Sequence, residues 1–171
     1  MKEPEGPLYR DWEFAAPTER DWFFKELADP PVSRRDLEKI RPLSDEYSRL
    51  LWGVVYAGKR SEGHVVRGKS KIVGNQVVED WTEATLRRAC CWPDTEAVYI
   101  VMSNGHFPDP WGYEILWEIF LRYWKGIVGF PTVGLLLHPV HRETLAFEDG
   151  YAHLVRRNKR RITKPCTRPG S

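Results

Sequence analysis

The stretch from Ala97 to Arg157 most constrains what this chain can fold into. AVYIVMS (97–103) is a short apolar run rich in Val, Ile and Tyr, the composition of a strand with at least one buried face. The segment 104–110 is rich in helix and strand breakers, and it ends in Asp109-Pro110, an N-cap followed by a first-turn proline. That punctuation predicts a helix over about 111–125. Its polar residues Glu114, Glu118, Arg122 and Lys125 form one narrow stripe, so the helix must be buried on most sides. TVGLLLH (132–138) and ETLAFED (143–149) read as two further strands. Asp149-Gly150 is a strong short-turn signal and pairs the second of them with YAHLVRR (151–157) in a hairpin.

The N-terminal half is built from shorter pieces. LYRDWEF (8–14) reads as a strand, and Thr18 with Asp21 as the start of a short helix. Ser33 and Asp36 repeat that spacing ahead of Leu37 and Ile40, and Pro42 ends the helix. Ser44 caps a second helix through Tyr47, Leu50, Leu51, Val54 and Val55 to about Gly58. Residues 58–75 are basic and Gly-rich and read as a weak hairpin or a loop over a site. Asp80 and Glu83 open one more helix, which runs to Cys90. The expected fold is α+β: one domain over 1–157, a small mixed or antiparallel sheet with helices against it, and a basic, disordered tail over 158–171.

Charge divides the chain the same way. Residues 156–171 carry seven basic side chains and no acid; the remaining 19 basic residues face 24 acidic ones, so the body stands near −5. An acidic globule of this kind suits a basic partner. Three cysteines, two of them adjacent, make neither a disulfide framework nor a metal knuckle. The opening MKEPEGP has no apolar leader region, and no run of residues is long and apolar enough to span a bilayer. The expected compartment is the cytoplasm, with no membrane association.

Two groups of residues resemble a known family. One is W-E-F (12–14), D-L-E-K-I-R-P-L-S (36–44) and S-R-L-L-W (48–52). The other is V-Y-I-V (98–101), W-E-I-F-L-R-Y-W (117–124), L-L-L (135–137) and L-A-F-E-D-G (145–150). Together they resemble a family of uncharacterised small bacterial α+β proteins, which implies a fold and no activity. In general layout the chain is also similar to immunity proteins that neutralise bacterial toxins, an analogy that implies another protein as partner.

Several constellations carry chemical potential. His138 and His141 form H-P-V-H, which has the look of a metal pair, although Pro139 places it at a strand end or turn, where two ordinary turn histidines are the simpler reading. A third ligand has to come from His106, His153 or Glu143. Glu114 and Glu118, one turn apart on the predicted helix, can divide acid and base roles, yet Glu118 and Arg122 also fit a plain i,i+4 ion pair. Cys90 follows Arg87 and Arg88 but sits at a helix C-terminus, where the dipole opposes a thiolate. No phosphate-loop, dinucleotide or nucleophile-elbow motif is present, and no cofactor is expected. Eight tryptophans remain, most of them expected in the core, with Trp12, Trp22, Trp52 and Trp92 as candidate anchors for a partner. The leading expectation is a non-catalytic protein-binding domain, of the immunity or inhibitor kind. The alternatives are a nucleic-acid-associated protein and a metal protein or enzyme using His138 and His141. The nucleic-acid reading uses Arg156, Arg157, Lys159, Arg160 and Arg161 with Arg60, Arg67 and Lys69 of the 59–71 loop.

Overall fold

The computed structural model describes residues 24–25, 29–55, 71–103, 110–128, 133–141, 143–148 and 150–156. They form an α+β domain around one antiparallel sheet. In chain order the elements are α1 (Arg34–Leu37), β1 (Arg41–Pro42), α2 (Asp45–Val55), β2 (Lys71–Val77), α3 (Glu83–Cys90), β3 (Ala97–Ser103), β4 (Trp111–Leu116), α4 (Trp117–Val128), β5 (Val133–Leu137), β6 (Glu143–Glu148) and β7 (Tyr151–Arg156). The strands lie in the order β1-β4-β3-β5-β6-β7-β2.

Beside the central strand β5 lies β3, where Val98 to Met102 are all buried. Alternate side chains of a strand point to opposite faces, so five buried in a row require cover on both. On one face Val98, Ile100 and Met102 pack with Leu136, Leu145 and Phe147 beneath α1, α3 and α4. On the other, Tyr99, Val101, Leu135 and Leu137 pack beneath Leu43, Tyr47 and Leu51, the last two on α2. The sequence explains α2 directly. Ser44 Oγ accepts from the Tyr47 amide at 3.4 Å, and Tyr47 and Leu51 recur four apart on the buried side.

The chain between 111 and 116 is a strand, not the first half of the expected helix. Trp111 to Leu116 pair antiparallel with Met102 to Ala97. The residues alternate, with Trp111, Tyr113 and Ile115 on the α4 side and Gly112 and Glu114 on the α2 side. Gly112 is required there, because a Cβ would stand 2.9 Å from Ser48 Oγ and 3.1 Å from Leu43 Cδ1 on the α2 side. The helix then starts at Trp117 with no intervening loop. Its first amides are met by the preceding turn: Trp117 N–H donates to Glu96 O at 2.9 Å and Glu118 N–H to Asp94 O at 3.1 Å. Glu114 and Glu118 therefore share no helix face, which dissolves the expected carboxylate pair. Glu114 lies near Arg41 across the sheet edge, at 3.6 Å. Arg122 does not take Glu118 but reaches α1, where its Nη1 lies 2.6 Å from Asp36 Oδ2.

Asp36 is the polar tie between α1 and α4. It is buried, and Tyr123 Oη–H donates to Oδ2 at 2.9 Å. Burial pushes its carboxyl up, but hydrogen bonds from Tyr123, Ser33 and Arg122 outweigh that and leave it below the ordinary carboxylate value. The hairpin β6–β7 closes as expected, with Gly150 at φ +81°. The expected strand at 8–14, the first short helix and the tail lie outside the described residues. Among the described residues no helix is long and apolar enough to cross a membrane.

Two glycine variants test the packing. Gly112→Ala must displace Ser48 or Leu43 and is expected to cost about 1–3 kcal/mol, as overpacking does. Gly53→Ala on α2 meets nothing within 4 Å and should stabilise by about 0.5–1 kcal/mol. Urea denaturation of the two variants checks the opposite signs. Asp36→Asn should destabilise at neutral pH by about 1–3 kcal/mol. Because the native carboxyl lies below its unfolded value, its contribution is present above the unfolded value and lost as pH falls through the folded one. The gap between variant and parent should therefore close on acidification, as read from thermal midpoints between pH 7 and pH 3.

Candidate functional site

One end of the sheet gathers Glu96, His138 and His141 beside Trp92. The turn at 138–141 leaves β5 there, and the segment 91–96 passes over it between α3 and β3. His138 continues the β5 alternation through Gly134 and Leu136, which puts its ring on the helix side, wholly buried. Its Nδ1 accepts from the backbone amides of Val140 and His141, at 3.1 Å each. A ring nitrogen that accepts carries no proton, so the proton of the neutral ring belongs on Nε2. That atom lies 2.6 Å from Glu96 Oε2. Glu96 remains 45% exposed, so the carboxylate bridges the buried ring and solvent.

Trp92 completes the arrangement. It is buried beside His138, with ring centroids 5.3 Å apart, and the exposed His141 stacks over it at 6.5 Å. Behind it Trp117 meets Trp92 edge-on at 5.0 Å, and Phe120 stacks on Trp117 at 5.5 Å. The aromatic series thus runs from the core out to the turn and gives the turn a rigid seat. The segment carrying Trp92 and Glu96 is itself fixed. Thr82 and Thr85 form a capping box at the start of α3, Cys91 ends it in the left-handed conformation at φ 51°, and Arg87 pairs with Glu83 and Asp94.

Glu96, His138 and His141 offer ligand atoms within 4.8 Å of one another, the residue types of a two-histidine, one-carboxylate metal centre. The donor chemistry points elsewhere. Metal-bound histidines donate their second N–H outward, whereas His138 Nδ1 is an acceptor and its Nε2 holds the proton. Two donors on one tetrahedral zinc would also stand roughly 3.3 Å apart at metal–ligand distances of about 2.0–2.1 Å. The 2.6 Å between His138 Nε2 and Glu96 Oε2 is well short of that. As built, the pair locks a turn. His153, one expected source of a third ligand, is a buried residue of β7.

The other expected site residues separate. Trp92 is buried rather than presented, and Trp52 on α2 is partly buried against the second core cluster. Trp81, Trp117 and Trp124 are buried as well. Trp12, Trp22, Arg60, Arg67, Lys69, His106, Arg157, Lys159, Arg160 and Arg161 lie outside the described residues, and Arg156 is the last residue of β7, where it pairs with Lys71 and Glu143. Cys90 is buried, and burial, with a smaller effect of Glu143, pushes its thiol up to about 12. That removes the nucleophile reading. Glu96 was not foreseeable as a partner of the histidines, since it comes from a separate turn; the nearest signal is the W-P-D-T-E run itself.

Comparison with known proteins adds one finding. A family model described as "Protein of unknown function (DUF2947)" matches residues 16–154. No curated protein and no solved structure matches the chain.

Thiol labelling tests the contrast between the two adjacent cysteines. In a Cys166→Ser background at pH 8, a disulfide reagent should label the exposed Cys91 in the native protein and Cys90 only after unfolding. Two rapidly reacting thiols in the native state would contradict the burial of Cys90.

Proposed function

The chain belongs to the DUF2947 family, whose description assigns no activity, and on the geometry of its own turn we propose that it is a non-catalytic protein-binding domain, of the immunity or inhibitor kind. The observation that carries this reading is Val140. It is 79% exposed at the tip of a turn whose backbone is tied down by the His138 ring and seated on Trp92. A large apolar side chain held outward on a preorganised turn enters a partner's pocket with little ordering entropy left to lose. His141 beside it adds an aromatic edge, and Glu96 and Glu143 at the same end add negative charge. An acidic body steers a basic partner, so the expected target is a basic protein with an apolar pocket.

The test is capture from the source cell's lysate, in nuclease-treated and untreated halves, with the parent and Val140→Asp proteins side by side. The supported outcome is one stoichiometric protein that survives nuclease and moderate salt and is lost, by at least tenfold in affinity, with Val140→Asp. Retention of that protein by the variant overturns the role of the turn. Recovery that vanishes with nuclease in both proteins favours the basic C-terminal segment acting on nucleic acid instead.

A further inference from the structure

A second site lies on the opposite side of α4 from the β5–β6 turn's aromatic seat. A cavity of about 450 Å³ opens between α1 and α4, lined by Ser33, Arg35, Asp36, Lys39, Glu118, Arg122 and Tyr123. Its volume is in the range that holds a small metabolite. Nearly every lining group is charged or a hydroxyl, which makes it unlike a hydrophobic seam between packed helices.

Three cations converge on it, and they are not equivalent. Arg122 is held in place by the buried Asp36, at 2.6 Å, while Tyr123 Oη–H takes the same carboxylate oxygen. Its side chain is still 53% exposed, so a guanidinium anchored by Asp36 remains within reach of solvent. Arg35 and Lys39, both exposed, stand four apart, and neither has an acidic partner among the described residues. By contrast the neighbouring Arg34 turns to Glu38 at 3.6 Å. An otherwise acidic body therefore presents two uncompensated cations and one preoriented guanidinium around a single small cavity. Glu118 is the one lining acid that the Asp36–Arg122 pair leaves over.

We propose that this cleft binds a small phosphate ligand that also carries an amino or hydroxyl donor. Arg35, Lys39 and the open side of Arg122 take the phosphate, and Glu118 accepts from the donor. The site is independent of the protein-binding turn. It needs neither a metal nor a chemical step.

Inorganic phosphate and phosphoethanolamine are the probes, measured by calorimetry and thermal shift at fixed ionic strength with sodium chloride as reference. Phosphate should raise the melting temperature beyond the chloride control, and phosphoethanolamine should bind more tightly than phosphate. Arg35→Ala with Lys39→Ala, both on exposed positions, should weaken both probes at least tenfold. Glu118→Gln should erase the preference for phosphoethanolamine and leave phosphate binding in place. A phosphate effect equal to that of chloride, or one unchanged in the double variant, overturns the site. Equal affinity of the two probes in the parent overturns the role of Glu118 and the donor-bearing ligand class.

Discussion

Covering β3 on both faces is the constraint on which the rest depends. Five consecutive buried side chains forbid a sheet with one wet face, so helices must lie above and below. The sequence meets this unevenly. The side of α4 receives the large aromatics, Trp92, Trp117, Phe120 and Phe147, while the side of α2 is filled by smaller aliphatics and two tyrosines. One of those tyrosines, Tyr99, is buried enough that its hydroxyl is pushed up to about 12, with Glu114 adding to the effect of burial. The core is thus committed to neutral groups around β3, and the polar pairs are placed at its margins, Asp36–Arg122 at one and His138–Glu96 at another.

Those two pairs illustrate different uses of a buried polar group. Asp36 joins two helices, and its carboxylate is satisfied by an arginine and a phenol at once. His138 acts within one turn. Its ring takes the place of a backbone acceptor for two amides, as an Asx side chain does in shorter turns. The first histidine of the apparent metal pair is, in the folded chain, an acceptor for the backbone amides two and three residues ahead.

Much of the architecture was legible. The β5–β6–β7 meander followed from alternation and from the Asp-Gly turn, and the Ser33 and Ser44 caps marked α1 and α2. The start of α4 was not. Asp109-Pro110 is a strong helix opener, and Trp111 to Leu116 are apolar enough to suit either a strand or a buried helix face. Pairing with β3 and the close approach at Gly112 decide for the strand, and both are tertiary facts. Of the candidate site, the sequence shows the two histidines, and it offers Trp92 as a partner's anchor rather than as the seat of a turn. Glu96 was hidden because it belongs to another turn. The i,i+4 rule pairs Arg122 with Glu118, its neighbour on the helix, because local pairing rules cannot see a buried aspartate arriving from α1.

The strand order has a further consequence. β1 and β2 are consecutive among the described strands yet occupy opposite edges of the sheet, six strand spacings or roughly 29 Å apart. Between them lie α2 and the segment that follows it, so the same stretch of chain that covers one face also delivers both edges. The five inner strands come from residues after 96, and most of their pairings join near neighbours in sequence. β2, by contrast, waits for β7, with Lys71 opposite Arg156. Pairings of such long sequence separation form late. On the ribosome β1 can pair as soon as β4 has emerged, whereas β2 is made early and has no partner until β7, the last of the described strands, has been synthesised.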